Sequence, residues 1–164
     1  SGSGNQGITA SVPVAIYART FGIGRERLLR AVALADLVTI HQKAGIGCLS
    51  AFCGATCAGC GAGAGIAYLL GGDYQAVAHT IVNALAVVSG MVCDGAKPSC
   101  AAKIAAAIDA GILGYELYCR GQEFLDGDGI VRKGVVNTIG NVGRMARSGM
   151  RETDRVILDI MCGC

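Results

Sequence analysis

AFCGATCAGCGAGAGIAYLLGG, residues 51–72, decides how this chain folds. It carries no Asp, Glu, Lys or Arg, shows no strand-like alternation, and is built mainly from Gly, Ala and Cys. Such a run predicts a small-residue helix over about Leu49–Leu70 that lets neighbouring backbones come close, closed by Gly71 and Gly72. The uncharged region extends further, since no charged side chain lies between Lys43 and Asp73 or between Asp73 and Asp94. Either span is long enough for a bilayer. The first is crowded with glycine and cysteine, however, and the second holds His79, Asn83 and Ser89. Neither end has Trp anchors or a Lys/Arg cluster, so the pair is expected as buried helices in an all-helical core, with no membrane partner.

Outward from this stretch, the helical pattern continues in both directions. SGSGNQG at the start is expected as a polar loop, with Ser11 and Pro13 opening a helix over Val12–Thr20. Leu28, Leu29, Val32, Leu37 and Ile40 keep a helical period over Arg25–Lys43. Asp73 is an N-cap for Tyr74–Val88, and Ser89–Pro98 reads as a loop. Ser99 caps a helix to about Ala110, DGDG at 126–129 is a turn, and helices follow over Val135–Arg147 and Glu152–Met161. With 164 residues, no internal repeat and no linker, the chain reads as one domain over 1–164: all-α, a compact bundle of six to seven helices. A net charge of +2 without a basic stripe excludes nucleic acid as a partner. Nine cysteines, an odd number with no signal peptide before them, argue against a secreted disulfide scaffold and for the reducing cytoplasm.

Cysteine placement carries the chemistry. Cys53, Cys57 and Cys60 lie in FCGATCAGC, and Cys93 and Cys100 in GMVCDGAKPSC. Thiolates are soft ligands, and such clustering points to iron–sulfur or zinc chemistry. The C-x-x-x-C-x-x-C spacing matches a radical-enzyme motif, but the strands of the barrel that motif needs are missing. On a helix the same spacing is also a packing stripe, so for Cys57 and Cys60 packing and ligation both stand. In the Gly-containing loop, Cys93, Asp94, Lys97 and Cys100 are close enough in sequence to form a site. Gly2, Gly4 and Gly7 spell a dinucleotide pattern without the strand it must follow. The backbone and side chains of Ser3, Gly4, Asn5 and Gln6 suit a carboxylate instead. His41 is either a general base or a cation at a helix C-terminus. His79 reads as a satisfied core histidine.

SGSGNQGITASVPV, HQKAGIG, LSAFCGA, AGAGIAYLLGG, GMVCDGAKPSCAAKI and GMRETDRVILDIM resemble the L-cysteine desulfidase group, related to the α-chain of the iron–sulfur L-serine dehydratases. The resemblance runs nearly end to end and covers the C-terminal catalytic portion of such longer proteins. It implies an oxygen-sensitive [4Fe–4S] cluster held by three cysteines with one iron open to substrate, and no pyridoxal phosphate. The implied reaction is β-elimination: L-cysteine gives hydrogen sulfide, ammonia and pyruvate, or L-serine gives ammonia and pyruvate. Cys53 and Cys93 match family ligands. For the third, Cys100 is the nearest match to the dehydratases, whereas desulfidases use a cysteine from their N-terminal region. Ser3, Gly4, Asn5 and Gln6 would bind the substrate carboxylate, and His41 and Lys97 are the candidates for taking the α-proton.

The resemblance also implies a partner, a missing N-terminal half or second subunit, and a half-protein with this much apolar surface is expected to associate into homo-oligomers. A chain isolated in air is expected to lack an intact cluster and activity. The rival expectation is a non-catalytic helical module that binds a partner and keeps its buried thiols reduced. Substrate-dependent pyruvate from anaerobically reconstituted protein separates the two.

Overall fold

The computed structural model describes residues 4–163. They form seven α-helices and one π-helical turn: α1 (Gly4–Thr20), α2 (Arg25–Ile46), α3 (Gly54–Leu69), α4 (Tyr74–Val88), α5 (Cys100–Cys119), α6 (Val135–Arg144), the π turn (Met145–Gly149) and α7 (Arg151–Cys162). Among these residues the only β-pairing is an isolated antiparallel bridge between Phe52 and Val92. The all-α expectation holds. No helix among the described residues is long and apolar enough to cross a membrane.

The predicted small-residue helix is the axis of the molecule. Every residue of α3 from Ala55 to Ala67 is buried, with α1, α2, α4 and α5 packed around it. Glycine makes this wrapping sterically feasible. A Cβ on Gly59 would meet the Ala107 carbonyl oxygen at 2.4 Å, and one on Gly63 would stand 2.7 Å from the Gly111 backbone. On the next face, a Cβ on Gly61 would meet the Ala35 oxygen at 2.4 Å and one on Gly65 the Ala31 oxygen at 2.9 Å. Gly59 and Gly63 therefore seat α5, while Gly61 and Gly65 seat α2. Thr39 Oγ1 and Gln42 Nε2 of α2 donate to the Cys57 carbonyl at 3.5 and 3.4 Å, tying the same pair by hydrogen bonds.

Cys57 and Cys60 pack in this core with Phe52, Ile81, Leu85 and Val142, wholly shielded from water. Their packing role is thereby clear. Burial pushes the Cys57 thiol up to about 12 and Cys60 well above its usual range, because a thiolate there would lose its hydration.

Several boundaries differ from expectation, each for a local reason. The first helix starts at Gly4, so GNQG is its opening turn and not a loop. Ser11 does not cap: its hydroxyl donates back to the Gly7 carbonyl at 2.7 Å, inside the helix. Pro13 sits mid-helix, where it removes one backbone donor. The central helix begins at Gly54 with Cys53 as its N-cap, later than expected. The next long helix passes Ala110 and runs to Cys119, because Gly111 and Gly114 are contact points on α3 and α4 and not stops. After α6 the chain widens into the π turn before α7, which among the described residues meets no other helical element than that turn. α4 matches its expected bounds, with Asp73 Oδ1 accepting from the Ala76 N–H at 3.0 Å. His79 is not a core residue. It is half-buried, stacked on Tyr118, with Nδ1 3.1 Å from Glu123 Oε2.

Two outcomes follow for stability. Gly63→Ala is expected to cost about 1–3 kcal/mol through overpacking against Gly111, despite alanine's better helix propensity. Gly140→Ala, where a Cβ meets nothing within 4 Å, is expected to gain about 0.5–1 kcal/mol. Denaturant unfolding of both variants reads the difference, and equal effects would remove the close-approach argument. The raised Cys57 thiol stabilises the fold fully below its unfolded value of 9.0, and that contribution is lost as pH rises toward about 12. The unfolding midpoint should therefore fall above pH ~9, and Cys57→Ala should flatten the fall.

Candidate functional site

Two backbone hydrogen bonds bring distant cysteines together. The Cys53 N–H donates to the Met91 carbonyl at 3.0 Å, and the Cys93 N–H to the Ala51 carbonyl at 2.5 Å, flanking the Phe52–Val92 bridge. Side chains alternate across such a pairing, so Phe52 enters the main core while Cys53 and Cys93 share the opposite face. There they pack with Ala55, Met91, Ile104 and Ala107. The chain then turns through Gly95, whose φ of +89° suits a residue without a Cβ, and reaches Cys100 at the first position of α5. The Cys100 thiol donates to the Gly95 carbonyl at 3.5 Å.

Cys53, Cys93 and Cys100 line one cavity of about 160 Å³, together with Asn5, Gln6, Gly54, Lys103 and Ile104. Its wall is made from the starts of three helices: Asn5 and Gln6 of α1, Cys53 and Gly54 at the head of α3, and Cys100 and Lys103 of α5. A helix N-terminus carries a partial positive charge. Three of them on one cavity make it a place for negative charge. Gln6 lies across Gly54 so closely that a Cβ there would fall 2.0 Å from its Nε2.

Lys103 adds a full positive charge. Its Nζ donates to Asp94 Oδ1 at 2.6 Å and to the Val92 carbonyl at 2.8 Å, which fixes it beside the bridge. Lys97 pairs with the other oxygen of Asp94. The two ammonium groups hold the Asp94 carboxyl down at about 2, and Asp94 in turn holds Lys103 above its usual value. Burial pushes the Cys53 thiol up; the Ala55 N–H and Lys103 act against it, while the neighbouring Cys93 and Cys100 act with it.

The structure thus brings together five residues expected at a site: Cys53, Cys93, Cys100, Asn5 and Gln6. Gly4 begins α1 and is exposed outside the lining, and Ser3 lies outside the described residues. His41 is exposed on α2, and Lys97 turns to Asp94; neither lines the cavity. Lys103 is the residue that sequence reasoning passed over. Its signal was available, since it follows Cys100 by three positions and so shares its helix face. Among the described residues, no three His, Cys, Asp or Glu side chains converge tightly enough for a single metal ion. The thiols stand around a cavity instead. Three soft thiol donors on one cavity are the donor type that an iron–sulfur group takes.

Because the Asp94 carboxyl is lowered, its contribution to stability is complete above its unfolded value of 3.8 and lost as pH falls toward about 2. Acid unfolding followed by circular dichroism should show this limb in the native protein and a flatter one in Asp94→Asn. Superimposable acid limbs would show that the Asp94–Lys103 pair does not form.

The chain is similar to known proteins over nearly its whole length. The family model described as serine dehydratase alpha chain matches residues 1–159. A UPF0597 protein of Desulfitobacterium hafniense is 65% identical over 161 residues, covering 98% of this chain and 37% of that protein. UPF0597 proteins of Treponema denticola and Bacteroides fragilis are 52% and 43% identical, with 98% and 100% of this chain covered and 37% and 39% of theirs. The chain thus spans less than two-fifths of the length of these relatives. No solved structure matches it. With nearly its whole length matched and its three cavity thiols within that match, the chain belongs to the serine dehydratase alpha-chain family.

Proposed function

We propose that this chain is the catalytic portion of an iron–sulfur β-elimination lyase acting on L-cysteine, or on L-serine, in the reducing cytoplasm. The observation that carries the reading is the meeting of Cys53, Cys93 and Cys100 with three helix N-termini and Lys103 on one cavity. Cys53, Cys93 and Cys100 are the residues that would hold a [4Fe–4S] cluster. When bound, that group supplies a Lewis acid for the departing thiol or hydroxyl.

The remaining roles fall to the protein. The opening turn of α1, with the amides of Asn5 and Gln6, holds the substrate carboxylate where helix N–H groups favour an anion. Lys103, kept protonated by Asp94, supplies a fixed positive charge and is unsuited to accept a proton. Of the acceptors expected from sequence, Lys97 is paired with Asp94 and His41 lies off the cavity. Loss of the α-proton and of sulfide or water leaves aminoacrylate. This tautomerises to the imine and takes up water, giving pyruvate and ammonia.

The test is anaerobic reconstitution with iron and sulfide in the presence of the rest of the protein, followed by pyruvate and sulfide assays. Native protein should develop visible iron–sulfur absorbance and turn over substrate. Cys93→Ser should lose both, and Lys103→Met should keep the absorbance but lose roughly 10²-fold in kcat/KM. A complete mixture with intact absorbance and no pyruvate from either amino acid would sink the lyase reading.

A further inference from the structure

A second concavity lies beside the thiol cavity. On α1, Ile8, Val12 and Ile16 recur every four residues; on α5, Ile104, Ile108 and Ile112 do the same. The two ridges flank a groove of about 460 Å³ with Ile66 of α3 among its lining residues. No charged residue occurs on α1 before Arg19, and Ile8 and Ile16 are left 56% and 59% exposed. Exposed side chains of this size in one continuous strip mark an interaction surface. Ridges at i and i+4 on both walls are the relief into which a third helix packs.

Two observations identify the occupant. The relatives carry nearly two-thirds of their length outside the matched segment, which supplies a covalently linked candidate to cover this face. The groove is also continuous with the candidate site, because Ile104 lines both. We propose that the α1–α5 groove seats an apolar helix from the part of the protein outside this segment. That helix closes the thiol cavity along its Ile104 side. A segment tethered in the same polypeptide, at effective concentrations of about millimolar, outcompetes a second copy of this chain for the same groove. The proposal rests on the family match and its partial coverage, and it does not depend on the lyase chemistry.

Photocrosslinking tests it without any activity assay. Benzoylphenylalanine at Ile108, with Leu37 on the exposed face of α2 as control, is introduced into this chain co-expressed with the unmatched portion of the Desulfitobacterium hafniense relative. The expected adduct from position 108 maps to that portion, and position 37 gives none. In parallel, the intact relative is labelled at the residue aligned with Ile108, so that poor folding of the separated portion does not decide the result. Val12→Asp should weaken co-purification at least about tenfold, and Leu37→Asp should leave it unchanged. Adducts to a second copy of this segment, or none from position 108 in the intact relative, would overturn the proposal. Crosslinking that succeeds while pyruvate assays fail would keep the groove and sink only the lyase.

Discussion

Backbone contact at the glycines of α3 is the constraint on which the rest of the molecule depends. Hydrophobic side chains normally separate helix axes by 8–10 Å. Here Gly59 and Gly63 leave nothing between α3 and α5, and Gly61 and Gly65 leave almost nothing between α3 and α2. Stability consequently derives from dense contact among small groups. The same contact fixes where the ends of these helices lie. Because α5 is seated along Gly59 and Gly63, its first turn arrives beside the head of α3. Cys100 and Cys53 consequently face the same space.

A second, smaller constraint completes the site. Only two backbone hydrogen bonds around the Phe52–Val92 bridge join the segment before α3 to the segment after α4. They put Cys53 and Cys93 on one side and Phe52 on the other. Lys103 reinforces this arrangement from α5 through the Val92 carbonyl and Asp94. Five of the nine cysteines thus fall into two physical groups. Cys57 and Cys60 are sealed in the core with their thiols kept protonated, whereas Cys53, Cys93 and Cys100 border a space that solutes can enter.

How much of this was legible in the sequence depended on how local the cause was. α4 was readable to its ends because Asp73 caps it and Gly71 and Gly72 precede it. α1 was misread at its start, since the glycines and amides of GNQG favour a loop in isolation and become helical only against α3 and α5. Gly111 and Gly114 carried the opposite trap: in sequence they read as breakers, and in the fold they are contact surfaces. Three cysteines and two amides of the site were evident from residue type and resemblance. Lys103 was not, because a lone charge in an Ala-rich helix looks like a solvated face until Asp94 and Val92 are seen around it. A single bridge has no periodicity, so nothing along the chain announced the pairing of residues 51–53 with 91–93.

The three helix heads that border the thiol cavity carry a cost as well as an opportunity. Like poles face one another there, and Lys103 deepens the mutual repulsion. That local conflict opposes the compaction favoured by the glycine contacts of α3. An anionic guest that bound only the assembled form would relieve that conflict and link occupancy to folding.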